Sequence, residues 1–169
     1  MTDISIERLD HEELEQLEPL WLELLAHHAE VSAPEMPPQV SPDVSWQRRR
    51  AAYADWLSHP RAFGLLALCD DRAVGYAVVS IHGGEALGTT WDGGSEVAEL
   101  ETLIVTARRR SSGIGARLLD RAESEVRARG INEMIIGVVA TNDDAVSFYR
   151  RRGYTPYLTY LYGRLDHAD

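Results

Sequence analysis

Alternating apolar positions at Ile4, Ile6 and Leu9 open the chain and predict a short strand. Asp10 followed by Glu13 is a capping-box pattern, so a helix is expected at once. A proline in a helix interior costs roughly 3 kcal/mol. The region therefore divides into a short first helix and a second with Pro19 in its first turn. Trp21, Leu24, Leu25 and His28 continue one face at helical spacing. Four prolines between Ala33 and Pro42 make that segment a loop. Asp43 or Ser45 then caps a helix whose buried face is Trp46, Arg50, Tyr53 and Leu57, ended by His59-Pro60. Phe63–Leu68 and Ala73–Ile81 read as a hairpin turning at Asp70-Asp71-Arg72. Five glycines between Gly83 and Ser95 predict a mobile loop.

The next apolar run, Leu100 to Val105, alternates with Glu99 and Glu101 and predicts a strand. It leads through three arginines and Ser111-Ser112-Gly113-Ile114-Gly115 into a helix with Ile114, Leu118, Ala122 and Val126 four apart, stopped by Gly130. Glu133–Val139 reads as a buried strand, and Asn142–Arg152 as a short helix with Ala145, Phe148 and Tyr149 inward, closed by Gly153. Tyr154–Leu165 supplies a last strand, interrupted by Pro156. The order β-α-α-β-β-β-α-β-α-β gives one α/β domain over residues 1–169, a mixed sheet with helices on its faces.

Composition narrows the setting. A hydrophobic share of 44% with 26% charged residues is that of a soluble globular chain. No apolar run approaches a membrane span, and Met1-Thr2-Asp3-Ile4 lacks the features of a signal peptide. The single Cys69 rules out an internal disulfide framework and fits a reducing compartment, so a cytoplasmic location is expected. A net charge of −10 argues against nucleic acid and anionic membranes as partners. The cations are all arginine, and six of the seventeen form the runs Arg108-Arg109-Arg110 and Arg150-Arg151-Arg152. Local basic clusters on an acidic chain point to a specific anionic ligand.

The stretch from Glu99 to Leu119 is where such a ligand would sit. A strand that ends in a glycine-bearing turn and a helix N-terminus aims free backbone N–H groups and the positive helix pole at one point. A Walker loop is excluded because the chain has no lysine, and the three-glycine dinucleotide fingerprint fails at Leu118. His27 and His28 are adjacent and lie on different helix sides, so no metal site is expected.

Arg110-Ser111-Ser112-Gly113-Ile114-Gly115 resembles the acetyl-CoA motif Gln/Arg-x-x-Gly-x-Gly/Ala of the GNAT superfamily of N-acetyltransferases. Glu99–Val105 resembles that family's fourth strand, and Asn142, Ala145, Phe148-Tyr149 and Gly153-Tyr154 resemble its downstream pattern. The resemblance implies an acyl-CoA N-acyltransferase-like fold with a mixed, mostly antiparallel central sheet and helices on both faces. It implies acetyl-CoA as co-substrate and direct attack of an amine acceptor on the thioester. Arg110, Ser111, Ser112, Gly113, Ile114, Gly115 and Ala116 would hold the pyrophosphate. Backbone amides of Leu103, Ile104 and Val105, exposed by a strand bulge, would hold the pantetheine and the thioester oxygen. Asn142 would bond the pantetheine arm, and Tyr149 would protonate the departing thiolate. Two features depart from the family pattern: Ser111 stands where glycine is usual, and about sixteen residues follow Gly153, short for a final pair of strands. A homodimer in which a partner subunit finishes the sheet would make up that shortage.

The harder chemical task is proton removal. An alkyl ammonium of pKa near 10.4 is neutral at pH 7 about once in 2,500, a cost of ~4.6 kcal/mol, whereas a thiol leaving group near pKa 8.5 needs about 2 kcal/mol. A carboxylate is the natural base. Glu99 and Glu101 lie two apart on one strand and share a face, and Glu99 is the preferred base. The alternative is an inactive acyl-CoA-binding module. His28 and the cluster Trp21, Trp46, Trp56 and Tyr53 read as structural, and the acidic balance favours a cationic acceptor.

Overall fold

The structure is a computed structural model describing residues 4–165. Five strands form one sheet in sequential order: β1 (Ile4–Arg8), β2 (Ala62–Cys69), β3 (Arg72–Gly83), β4 (Glu96–Val105) and β5 (Met134–Ile136). The first four pair antiparallel, and β5 runs parallel to β4. Asp70 and Asp71 close the β2–β3 hairpin at φ of 49° and 59°, a two-residue turn with both central residues left-handed.

Alternation splits β2 and β3 between two cores. Leu66, Tyr76, Val78 and Ile104 face α1 (Glu18–Val31) and α2 (Pro42–Leu57). Leu65, Ala77, Val79 and Leu100 face α3 (Ile114–Ala128). Both faces of the central strands are thus covered, which is why they read as continuous apolar runs. The tryptophan group is core as expected, with Trp21 and Trp46 buried and the Trp21 indole N–H donating to Ser45 Oγ at 3.0 Å.

Several expectations need correction. The short first helix is a 3-10 helix over His11–Leu17, where the Asp10 N–H donates to the Glu13 carboxylate. The N-cap of α2 is Ser41, not Asp43 or Ser45. Its hydroxyl accepts from the Val44 N–H, and Pro42 takes the first helical position, where no N–H is needed. Arg50 is exposed and pairs with Glu15 at 2.5 Å. Its neighbour Arg49 turns inward and lies 4.5 Å over the Trp21 ring. The strand expected over Glu133–Val139 is only β5, half-buried and three residues long. The Gly83–Ser95 segment contains a 3-10 turn, Gly84–Leu87, tied back by Gly84 N–H to the Ser95 carbonyl.

The last strand expected over Tyr154–Leu165 is absent. After α4 (Asp143–Arg151) residues 155–165 are exposed without regular pairing, among them Tyr160 at 88% and Leu161 at 94% exposure. Alternation alone does not make a strand; a free edge must lie within reach. Tyr157 ties this segment to the Gly83–Ser95 loop by donating to the Leu87 carbonyl.

Ion pairs among the described residues are made by arginine or histidine, for example Arg8–Glu125 at 3.2 Å and Arg61–Glu96 at 2.9 Å. No helix among them is long and apolar enough to cross a membrane.

Candidate active site

Strand β4 organises the site. Its pairing with β5 stops at Leu100–Ile136, while its pairing with β3 runs on to Val105. From Glu101 onward the β5-side edge of β4 therefore has no strand neighbour, and Leu103, Ile104 and Val105 lie along this open edge. The bulge expected at those three residues falls earlier. The register slips between Val78 and Val79, opposite Thr102 and Leu100, so the extra residue is Glu101. A bulge brings two successive side chains toward one side. Glu101 and Thr102 thus join Glu99 on the α1/α2 face.

At the far end of β4 the chain turns through a 3-10 segment, Ala107–Arg109, into α3. Glu23 of α1 holds this corner by accepting from Thr106 Oγ1 at 2.9 Å and from the Ala107 N–H at 2.8 Å. Ser111 and Gly113 both have positive φ, 60° and 84°. The N-termini of α2 and α4 are capped by the Ser41 and Asn142 side chains, but α3 has no side-chain cap. Its first intrahelical acceptor serves Arg117 N–H, so the N–H groups of Ile114, Gly115 and Ala116 have no intrahelical partner. A Cβ added at Gly115 would meet only Val105 Cγ2, at 3.6 Å, so internal packing does not demand glycine there. Arg110 and Ser112 are exposed beside this point. The contiguous run Arg110–Ala116 thus brings exposed donors to a positive helix pole, an arrangement that suits a phosphate group.

The carboxylates lie farther back on the same strand. Glu99 is directly opposite Ser80, and Glu101 accepts from Ser80 Oγ at 2.6 Å. His82, which the sequence reading left out, joins them: its Nε2 is 2.7 Å from Ser80 Oγ, 3.4 Å from Glu99 Oε2 and 3.7 Å from Glu101 Oε1. Polar residues at 80 and 82 within an otherwise apolar strand were the available signal. Partial burial raises the Glu99 carboxyl above its ordinary range, the Glu101 charge adds to this, and His82 opposes it. The ligand-capable atoms of His82, Glu99 and Glu101 lie within 4.8 Å of one another.

Tyr149 stands on α4, its ring 5.1 Å from Phe148 and 5.9 Å from Tyr154. Burial pushes its hydroxyl up to about 12, so it stays protonated near neutral pH. No contact joins it to Glu99 or Glu101 among the described residues. Asn142 Oδ1 accepts from the Ala145 N–H at 3.1 Å, and its Nδ2 is 3.4 Å from His27 Nε2 on α1. His28 is partly buried, and desolvation together with His27 and Arg49 lowers its pKa.

A five-stranded sheet that opens beside its fourth strand, with an uncapped helix at the end of that strand, defines an acyl-CoA N-acyltransferase-like fold. Residues 22–154 match the acetyltransferase (GNAT) family, and the chain belongs to that family. It is 29% identical over 123 residues to N-alpha-acetyltransferase 60 of Xenopus tropicalis, a match covering 65% of this chain and 51% of that protein. The chain thus spans about half the length of this curated relative. A GCN5-related N-acetyltransferase from Ralstonia eutropha superposes with a TM-score of 0.76 at 16% identity, over 96% of this chain and 99% of the other. An aminoglycoside N-acetyltransferase in complex with CoA gives 0.71 at 18% identity, over 98% and 97%.

Proposed function

We propose that the chain is an acetyl-CoA-dependent N-acetyltransferase acting on a primary amine by direct attack. The observation that carries this reading is the uncapped start of α3 at the end of the strand that also bears Glu99 and Glu101. Acetyl-CoA supplies the activated acyl group and a thiol leaving group. Arg110, Ser111, Ser112, Gly113, Ile114, Gly115 and Ala116 bind its pyrophosphate. The open edge at Leu103, Ile104 and Val105 and the Asn142 amide hold the pantetheine and the thioester. Glu99 takes the acceptor's proton from the α1/α2 side of the sheet, with Glu101 beside it. Tyr149 donates toward the departing sulfur. With its hydroxyl held at about 12, above a thiol near 8.5, it keeps its proton and stabilises the developing thiolate as a hydrogen-bond donor, the thiol taking its proton from solvent.

The acceptor is a cationic amine, since two carboxylates face its approach. The name of the relative, an N-alpha-acetyltransferase, favours the α-amine of a peptide. A cytoplasmic setting fits the single unpaired Cys69. A second copy of the chain is the partner that covers the exposed Tyr157, Leu158, Tyr160, Leu161 and Tyr162. A thiol-release assay with acetyl-CoA and a panel of free-N-terminal peptides, spermidine and an aminoglycoside tests the activity. Turnover of at least one is expected; CoA binding without turnover of any would make the chain a binding module.

A further inference from the structure

We propose that His82 and Ser80 are the positioning pair of the acceptor side. A one-way hydrogen-bond chain from the imidazole through the hydroxyl pins Glu101, and this leaves Glu99 as the carboxylate that accepts the acceptor's proton. The inference rests on the reading of the β4 glutamates as the source of the base and separates their roles.

The direction of the chain follows from donor and acceptor chemistry. An ionised carboxylate only accepts, so the 2.6 Å contact commits the Ser80 proton to Glu101 Oε1. The Ser80 oxygen then accepts from His82 at 2.7 Å, which fixes Nε2 as the protonated ring nitrogen and leaves Nδ1 bare in the neutral form. Glu101 is held by a short hydrogen bond and its side chain is only 15% exposed, against 34% for Glu99 and 42% for His82. No hydrogen bond reaches the Glu99 carboxylate among the described residues; its one recorded partner is the His82 ring at 3.4 Å. A carboxylate already accepting a short hydrogen bond is a poorer proton acceptor than a neighbour without one. Of the other charged groups near this end of β3, Arg61 is occupied by Glu96 and the Ile81 carbonyl, and Glu85 lies against Gly83. Ser80 stays reachable from β4 because it is opposite Glu99, and the bulge at Glu101 swings the second carboxylate onto its hydroxyl.

The test uses the full chain. Ring ¹⁵N and ¹H spectra of His82 in the wild-type protein need no acceptor and are expected to show a protonated Nε2 whose proton resonance moves in Ser80→Ala as its hydrogen bond is lost. A ring protonated at Nδ1 with bare Nε2, or an Nε2 proton indifferent to Ser80→Ala, overturns the proposal. Kinetics follow with acetyl-CoA and a peptide carrying a free N-terminal Met. His82→Ala and Ser80→Ala are expected to lower kcat roughly tenfold to a hundredfold. The acetyl-CoA Kd is expected to stay unchanged, and His82→Gln, which keeps a donor, to recover most of the rate. Wild-type kcat in both alanine variants overturns the proposal, as does an equal loss in His82→Gln. Glu99→Gln run in parallel separates the two ideas. If it alone is inactive, the positioning pair fails and the base stands. If it retains wild-type rate, the base reading fails as well. Absence of turnover in the wild-type protein overturns both.

Discussion

The Tyr53 hydroxyl lies 2.7 Å from Thr102 Oγ1 and 3.1 Å from the Tyr76 hydroxyl, all three groups buried. Thr102 is the residue beside the bulge at Glu101, so this contact fastens α2 to the point where β4 changes register. Burial raises the pKa of both tyrosines, and both remain neutral hydrogen-bonding groups. Tyr53→Phe would strand the Thr102 hydroxyl without its recorded partner. We expect a loss of about 1–3 kcal/mol in stability by chemical denaturation.

The proposed pyrophosphate site at the start of α3 is tested by two variants with different costs to the fold. Arg110→Ala is expected to weaken acetyl-CoA binding by roughly 1.5–3 kcal/mol in calorimetry, the range for a charged hydrogen bond. Gly115→Ala adds a methyl that the protein itself accommodates, at 3.6 Å from Val105 Cγ2. It should leave the melting temperature within about a degree or two and still reduce affinity if the proposed pyrophosphate lies against the first turn of α3.

Ser111 holds a left-handed conformation at φ 60° where the family usually has glycine. An L-residue there costs roughly 1–2 kcal/mol, part of which glycine returns through its larger unfolded-state entropy. Ser111→Gly is expected to stabilise the chain by up to about 1 kcal/mol in a denaturant titration. A decrease in stability would mean that the serine side chain contributes more than its backbone strain removes.

Tyr149→Phe is expected to lower turnover about a hundredfold while leaving CoA binding in place. Because burial holds the hydroxyl at about 12, the wild-type rate should show no fall attributable to this group as pH rises to 10. A basic limb that vanishes in Tyr149→Phe would contradict this.

Partial burial holds the Glu99 carboxyl above the ordinary glutamate range, so the acid limb of kcat/KM should lie at higher pH than for an ordinary glutamate. The stability sign follows from the same shift. At low pH both folded and unfolded chains carry the proton and there is no penalty. As pH rises through the unfolded and then the folded pKa, the folded state holds a charge it disfavours. Glu99→Gln should therefore raise the melting temperature at pH 7 to 8 and leave it unchanged near pH 3, measured by thermal scans.

How much of this was legible in the sequence depends on whether the information is local. Arg110–Ala116 is one contiguous stretch, so the turn with a positive φ at Gly113 and the uncapped start of α3 could be read without knowing any partner. Glu99 and Glu101 followed from strand alternation. His82 did not, because its neighbours are set by the β3–β4 register, and the bulge that brings Glu101 to Ser80 has no signature in Leu100-Glu101-Thr102. Arg49 and Arg50 were confused because adjacent helix positions differ by about 100° and both border the apolar face. The final strand was expected because Tyr157, Tyr160 and Leu161 carry strand-forming side chains, but such side chains do not by themselves bring a segment onto a sheet edge, and these residues stay exposed although β5 ends the sheet.

The lack of lysine has a further consequence. A chain that we propose to acylate amines carries no side-chain amine of its own, since all seventeen basic residues other than histidine are arginine. Guanidinium keeps its proton at any physiological pH and offers a thioester no nucleophile. Lysine in place of Arg61 or Arg8 would keep the pairing with Glu96 or Glu125. It would also expose a group whose acylation erases the charge. The absence of lysine makes the fold's own electrostatics inert to the acyl thioester that we propose it uses.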